Sequence, residues 1–195
     1  MSTPRLRTAV LISGNGSNLQ ALIDAAAAPD FPAEIVLVIS NVPGVRGLAR
    51  AEAAGIPTRV LPHGNYPSRE VYDEAIHAVL EEAQIGLVCL AGFMRVLSTP
   101  FTQRWAGRMI NIHPSLLPKY KGLHTHARAI EAGEREHGAT VHWVTPELDA
   151  GEIILQRAIP IEPGDTPETL AERVHRVEHA IYPEALRQVA NSLRT

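Results

Sequence analysis

The order of apolar runs and helical stretches predicts an α/β fold: a mostly parallel central sheet, helices on both faces, and an antiparallel addition near the C-terminus. Three observations carry this. Short runs of largely apolar residues recur through the first 112 residues, at 8–12, 34–39, 87–91 and 108–112. Stretches suited to helices separate most of them, at 17–28, 47–54 and 68–84. Strands apolar on both sides and joined by helices belong to a parallel sheet covered on both faces. In the second half, runs at 140–144 and 153–159 follow each other with only a loop between, which is the spacing of an antiparallel pair.

Each element has a local reason. "TAVLI" at 8–12 has the continuous apolarity of a buried strand, and the alanine-rich stretch at 17–28 is closed by Pro29. "EIVLVI" at 34–39 is a second buried strand. The short helix at 47–54 has Gly55 just past its end, where a left-handed residue terminates a helix. A third strand at 58–61 is short. Ser68 stands where an N-cap belongs and opens a longer helix to Gln84. The final helical region, 166–193, contains Pro183, which lacks an N–H and predicts a break or kink. With no repeat, low-complexity tract or linker, 1–195 reads as one domain.

Composition narrows the functional classes. The 195 residues are 45% hydrophobic and carry a net charge of −3, enough for one domain with a sizeable core. The basic stripe expected of a nucleic-acid surface is missing. The single cysteine, Cys89, sits inside an apolar run, so a disulfide framework is excluded and a buried thiol fits a reducing compartment. The apolar stretch before Ser13, about five residues, is too short for a signal peptide, and no run approaches the roughly 20 residues of a membrane span. A soluble cytoplasmic protein is expected.

Two stretches carry chemistry. "ISGNGSNLQAL" joins the first strand to the first helix, and Gly14 and Gly16 allow a tight turn with close backbone approach. The helix start at Ser17 and Asn18 offers unpaired N–H groups to an anion. A dinucleotide fingerprint would need a third glycine where Leu19 stands, and an acidic residue where Ser40 and Asn41 stand. A single terminal phosphate fits better, with Arg69 at another helix start available for charge-assisted bonds. A tight turn that binds nothing is the alternative.

The second stretch is "NIHPSLLPKYKGLHTH" at 111–126. His113, His124 and His126 could supply three zinc ligands, but no HExxH helix or cysteine pair supports them. Ser115 has no nucleophile-elbow context, and Cys89 lies mid-strand. There remain Asn111 and His113, two apart at the carboxyl end of a buried strand, the edge where open α/β sheets bind ligands. Together they could hold the oxygen of a tetrahedral acyl intermediate and move its proton. His124, His126, His137, His142 and His179 read as ordinary histidines, and Asp149 could equally be a turn residue before Gly151. The residues alone give acyl or phosphate chemistry in a cleft.

Taken together, "LISGNGSNLQAL", "SRE", "LAGFMRVLS", "NIHPSLLPKYKGLHTHARAIEAGEREHGATVHWVTPELDAGEIILQ" and "EHAIYPEAL" resemble the phosphoribosylglycinamide formyltransferases, folate-dependent enzymes of purine synthesis. The likeness runs in order from about Ala9 to Leu186, and its central block is the most specific part. It implies a Rossmann-like formyltransferase fold with Asn111, His113 and Asp149 as catalytic residues. It assigns phosphate binding to Gly16, Ser17, Asn18 and Arg69, and the amine end of glycinamide ribonucleotide to Glu178. The folate side falls on Met94, Arg95, Val96, Leu97 and Val144. Lys121 stands where some relatives have proline.

The reaction so implied moves the formyl group of 10-formyltetrahydrofolate, the co-substrate, to the primary amine of glycinamide ribonucleotide. Asn111 and His113 would hold the developing oxyanion, and Asp149 would support the charged ring, organise a water and relay the proton. No metal and no covalent intermediate are implied, and a homodimer is an assembly open to the chain. Among rivals on a similar core, a formyltetrahydrofolate deformylase is expected to carry an extra N-terminal domain. A methionyl-tRNA formyltransferase is expected to carry a C-terminal one. A non-catalytic phosphosugar-binding module would keep the glycine loop but would have no use for the triad.

Overall fold

The run at 8–12 becomes β1 (Leu6–Ile12), the strand about which the sheet is organised. A computed structural model describes residues 3–194. Among them the chain continues through α1 (Ser17–Ala26), β2 (Ala33–Ser40), α2 (Arg46–Ala53), β3 (Thr58–Val60) and α3 (Arg69–Glu82). Next come β4 (Leu87–Leu90), α4 (Thr99–Arg104), β5 (Met109–His113) and α5 (Thr125–Glu131). β6 (Glu136–Trp143), β7 (Ile153–Pro160) and α6 (Pro167–Leu193) complete the order.

The strands form one sheet in the order β3-β2-β1-β4-β5-β6-β7. From β3 to β5 every pairing is parallel, and β6 and β7 then add antiparallel. The predicted mostly parallel sheet with an antiparallel C-terminal addition is therefore present. Strand order reverses beside β1, whose neighbours are β2 and β4. A crevice opens past the carboxyl ends of β1 and β4 at such a switch point.

Alternation along the strands sends side chains to two cores. Val10 and Ile12 of β1 join Leu19 and Leu22 of α1 and Val174 and Ile181 of α6 on one face. Ala9 and Leu11 join Tyr72, Ile76 and Leu80 of α3 and Trp105 on the other. Each such fully buried aliphatic side chain contributes about 1.5–3 kcal/mol relative to exposure.

Helix ends follow their sequence signals. The Ser68 hydroxyl accepts from Val71 N at 3.2 Å, capping α3 as expected. Thr166 and Thr169 exchange side-chain and backbone hydrogen bonds at the start of α6, and Pro167 occupies its first turn, where no N–H is needed. The predicted break at Pro183 does not occur, because α6 runs unbroken through it. Ile181, Tyr182, Ala185 and Leu186 are all buried there. The Tyr182 hydroxyl also donates to Leu90 O at 2.7 Å, pinning the helix to the sheet one residue before the proline.

Candidate active site

Asn111 and His113 lie on β5 with one residue between them, so their side chains leave the same face of the sheet. Antiparallel pairing sets His142 of β6 directly opposite Asn111. Across such a pair the side chains are neighbours. The Asn111 amide donates from Nδ2 to His142 Nε2 at 3.2 Å. His142 Nδ1 in turn donates to the carbonyl of Trp143 at 3.0 Å.

Asp149 reaches this face from the loop between β6 and β7. The base of that loop is closed by Trp143 N donating to Glu152 O at 3.0 Å. Asp149 has φ 49°, in the left-handed region that aspartate tolerates better than most residues. Its Oδ2 accepts from Gly122 N at 2.9 Å and lies 3.5 Å from His113 Nδ1. Its Oδ1 lies 3.8 Å from His142 Nε2. The other ring nitrogen of His113, Nε2, donates to Tyr120 O at 2.9 Å. A carbonyl can only accept, so Nε2 carries a proton, and Nδ1 is the atom turned to Asp149. All three predicted catalytic residues thus meet, with His113 and Asp149 buried.

They line a cavity of about 980 Å³ that also takes in Gly16, Ser17, Asn18, Glu178, Met94, Arg95, Val96, Leu97 and Val144. Gly16 has φ 74°, and a Cβ there would lie 2.6 Å from Gly47 Cα of α2, so the loop needs glycine at this point. Gly47 N donates to Gly14 O at 3.0 Å, and Arg50 Nε donates to Asn15 O at 2.8 Å, holding the loop against α2. No side chain caps the start of α1, which leaves its first N–H groups for a ligand.

Beside this helix start, Asn18 Nδ2 donates to Glu178 Oε1 at 3.2 Å. Asn18 Oδ1 and Glu178 Oε2 are buried without a hydrogen-bond partner among the described residues. Burial pushes the Glu178 carboxyl up to about 7, against a smaller opposing effect of the Asn18 bond.

On the Met94–Leu97 side the cavity wall is apolar. Met94 is 68% exposed and Val96 52%, with Leu123 and Leu148 also exposed along the lining. Together they form an exposed apolar wall of the cavity. Met94 N donates to Ser13 Oγ at 2.8 Å, tying the segment to the end of β1.

Arg69 is the exception among the predicted residues. It is exposed at the first turn of α3 and is not among those lining the cavity. Conversely, His142 belongs to the site although its sequence context gives no hint of it. The signal is the strand register, which only the folded sheet reveals. His126 also lines the cavity, and its Nδ1 meets Nε2 of buried His137 at 3.1 Å. Among the described residues no three His, Cys, Asp or Glu converge as metal ligands would. No helix there is long and apolar enough to cross a membrane.

An amide donor, an imidazole and a carboxylate thus gather near the end of a parallel strand, in one cavity with an open helix start. The chain belongs to the formyl transferase family, whose profile matches residues 6–186. It is 50% identical to the phosphoribosylglycinamide formyltransferase of Haemophilus influenzae, over 91% of this chain and 84% of that protein. It is 58% identical to the trifunctional purine biosynthetic protein adenosine-3 of Drosophila pseudoobscura, over 98% of this chain but only 14% of that much longer protein. The crystal structure of the phosphoribosylglycinamide formyltransferase from Brucella melitensis superposes with a TM-score of 0.92, at 51% identity and 96% coverage of both chains.

Proposed function

We propose that this chain transfers the formyl group of 10-formyltetrahydrofolate to the amine of glycinamide ribonucleotide, giving N-formylglycinamide ribonucleotide and tetrahydrofolate in purine synthesis. The observation that carries the reading is the meeting of Asn111, His113 and Asp149 in one cavity with the uncapped start of α1 and the Asn18–Glu178 pair. Its relatives in the formyl transferase family support it, including those named for this activity.

The phosphate binds at Gly16, Ser17 and Asn18, where backbone N–H groups and the helix dipole favour an anion. Arg69 would have to swing toward this loop to add its charge. Glu178 receives the amine end of the same substrate, and the folate lies along Met94, Arg95, Val96, Leu97 and Val144. Binding energy gathered at the phosphate fixes the amine for attack on the formyl carbon.

As the C–N bond forms, the formyl oxygen becomes an oxyanion that the Asn111 amide and His113 hold, His113 acting as an imidazolium with Nε2–H on the Tyr120 carbonyl and Nδ1–H beside Asp149. Asp149, through a water, takes the proton the amine loses and delivers it to the departing folate nitrogen as the old C–N bond breaks. No electrons leave the system, and the formyl carbon keeps its oxidation level. We place the protein in the cytoplasm, in keeping with a buried free thiol at Cys89 and with purine synthesis. Residues 1–195 act as one formyltransferase domain.

Folate release, followed spectroscopically with and without glycinamide ribonucleotide, tests this. Release should depend on the ribonucleotide and yield one formylated product per folate freed. Equal release without it, with free formate accumulating, would establish a deformylase instead.

A further inference from the structure

We propose that His142 is a positioning residue of this site: as a neutral ring protonated at Nδ1, it sets which atoms of the Asn111 amide face the cavity and leaves Asp149 Oδ1 free. The proposal rests on the formyl-transfer reading above. Its basis is a chain of three contacts at a ring only 2% exposed.

The Trp143 carbonyl, 3.0 Å from His142 Nδ1, can only accept, so Nδ1 bears the proton. The neutral ring then has a lone pair at Nε2, and the Asn111 amide 3.2 Å away must meet it with an N–H. That fixes the flip of the amide. The second N–H and the amide oxygen of Asn111 keep one orientation relative to the cavity, instead of exchanging places. Asp149 Oδ1, 3.8 Å from the same lone pair, gains no hydrogen bond from His142 and stays open to a water or an amine.

A proton on Nε2 would reverse each of these. The ring would turn a donor toward Asp149, and Asn111 would have to offer its oxygen to the ring. Burial opposes adding that proton to a ring already protonated at Nδ1, lowering the proton affinity of His142, against the pull of the Trp143 carbonyl and the Asp149 charge. Gly151 holds the far side of this device. A Cβ there would lie 1.6 Å from Trp143 O, the carbonyl that selects the tautomer.

Two measurements test this. The ¹⁵N signals of the His142 imidazole, assigned by their loss in His142→Gln, should show the Nδ1–H tautomer in the wild-type protein. The Nε2–H form would overturn the proposal, whatever the activity. In kinetics, His142→Leu should lower kcat about tenfold or more with both KM values within about twofold. His142→Gln carries an acceptor near the Nε2 position and should recover kcat to within about threefold of wild type. A folded leucine variant with near-normal kcat, or a folded glutamine variant no better than leucine, would overturn the proposal. Loss of ribonucleotide dependence in the wild-type protein strikes the transfer reading instead, and the tautomer then decides for His142 alone.

Discussion

Glu178 and His137 pull the stability of this protein in opposite directions over the same pH range, and replacing either one should unmask the other. Burial raises the Glu178 carboxyl from 4.5 to about 7. Between those values the folded chain keeps a proton that the unfolded chain has lost, so Glu178 makes stability fall as pH rises. Burial first, then the neighbouring rings of His126 and His113, lowers His137 from 6.5 to about 4. Over that range the unfolded chain holds the extra proton, and His137 makes stability rise with pH. At 1.36 kcal/mol per pH unit, each effect is worth about 3 kcal/mol over its full span.

Other groups also contribute. His126, His142 and His179 are lowered, with burial the main cause in each, so the wild-type protein still loses stability in acid. His175 Nε2, on a half-exposed side chain, lies 3.9 Å from Glu178 Oε2, where solvent weakens any interaction. Differences between variant and wild type cancel these shared terms. Unfolding free energies from urea titrations at fixed ionic strength, between pH 4.5 and 7, provide the assay. The gain of Glu178→Gln over wild type should grow by about 3 kcal/mol as pH rises across that interval. For His137→Gln the difference should move the other way by about as much. Curves that stay parallel to wild type within about 0.5 kcal/mol would refute the linkage.

Three further outcomes follow from the site. His113→Ala and Asp149→Ala should each lower turnover at least about a hundredfold, about 2.7 kcal/mol of barrier, while circular dichroism stays native. Gly16→Ala, placing a Cβ 2.6 Å from Gly47 Cα in a left-handed residue, should weaken the phosphorylated substrate about tenfold or more in calorimetry. Folate affinity should change less than about twofold in that variant. Gly151→Ala, whose Cβ would press on Trp143 O, should depress turnover and lower the melting temperature together, read by assay and by thermal unfolding.

What the sequence reveals and what it hides divide along physical lines. Strands buried on both faces are continuous apolar runs, so β1, β2, β4 and β5 are legible at once. β6 begins at Glu136, four residues before the predicted run, because Glu136, His137 and Gly138 do not look like a strand even though His137 is buried. α4 and α5, of 6 and 7 residues, are too short to show a helical period. Asn111 and His113 announce themselves by standing two apart at a strand end. Asp149 does not, since a turn residue at φ 49° has the same local sequence whether or not it serves a site. Only the resemblance points to it. Arg69 shows the converse, for a residue can match a family position while its side chain lies outside the cavity lining.

The buried ionisable groups share a design. Glu178 is pushed toward its acid form, and His126 and His142 away from their charged forms, each chiefly by desolvation. Without substrate, the ionised side chains on the cavity lining are few: Asp149, 3.5 Å from His113, with Arg95 and Glu147. On the formyl-transfer reading, charge would enter with the ligands, as a phosphate at the start of α1 and an ammonium at Glu178. An ammonium against Glu178 Oε2 would restore the carboxylate that burial had discouraged, and binding would then release the carboxyl's proton. In a site where fixed dipoles are already oriented, the reaction needs little reorganisation once the substrate is seated. Where uncharged groups meet, as at Asn111 and His142, the decisive contacts are tautomers and amide flips. The backbone carbonyls of Tyr120 and Trp143, which can only accept, decide which way His113 and His142 face, and so what Asn111 and Asp149 present to the cavity.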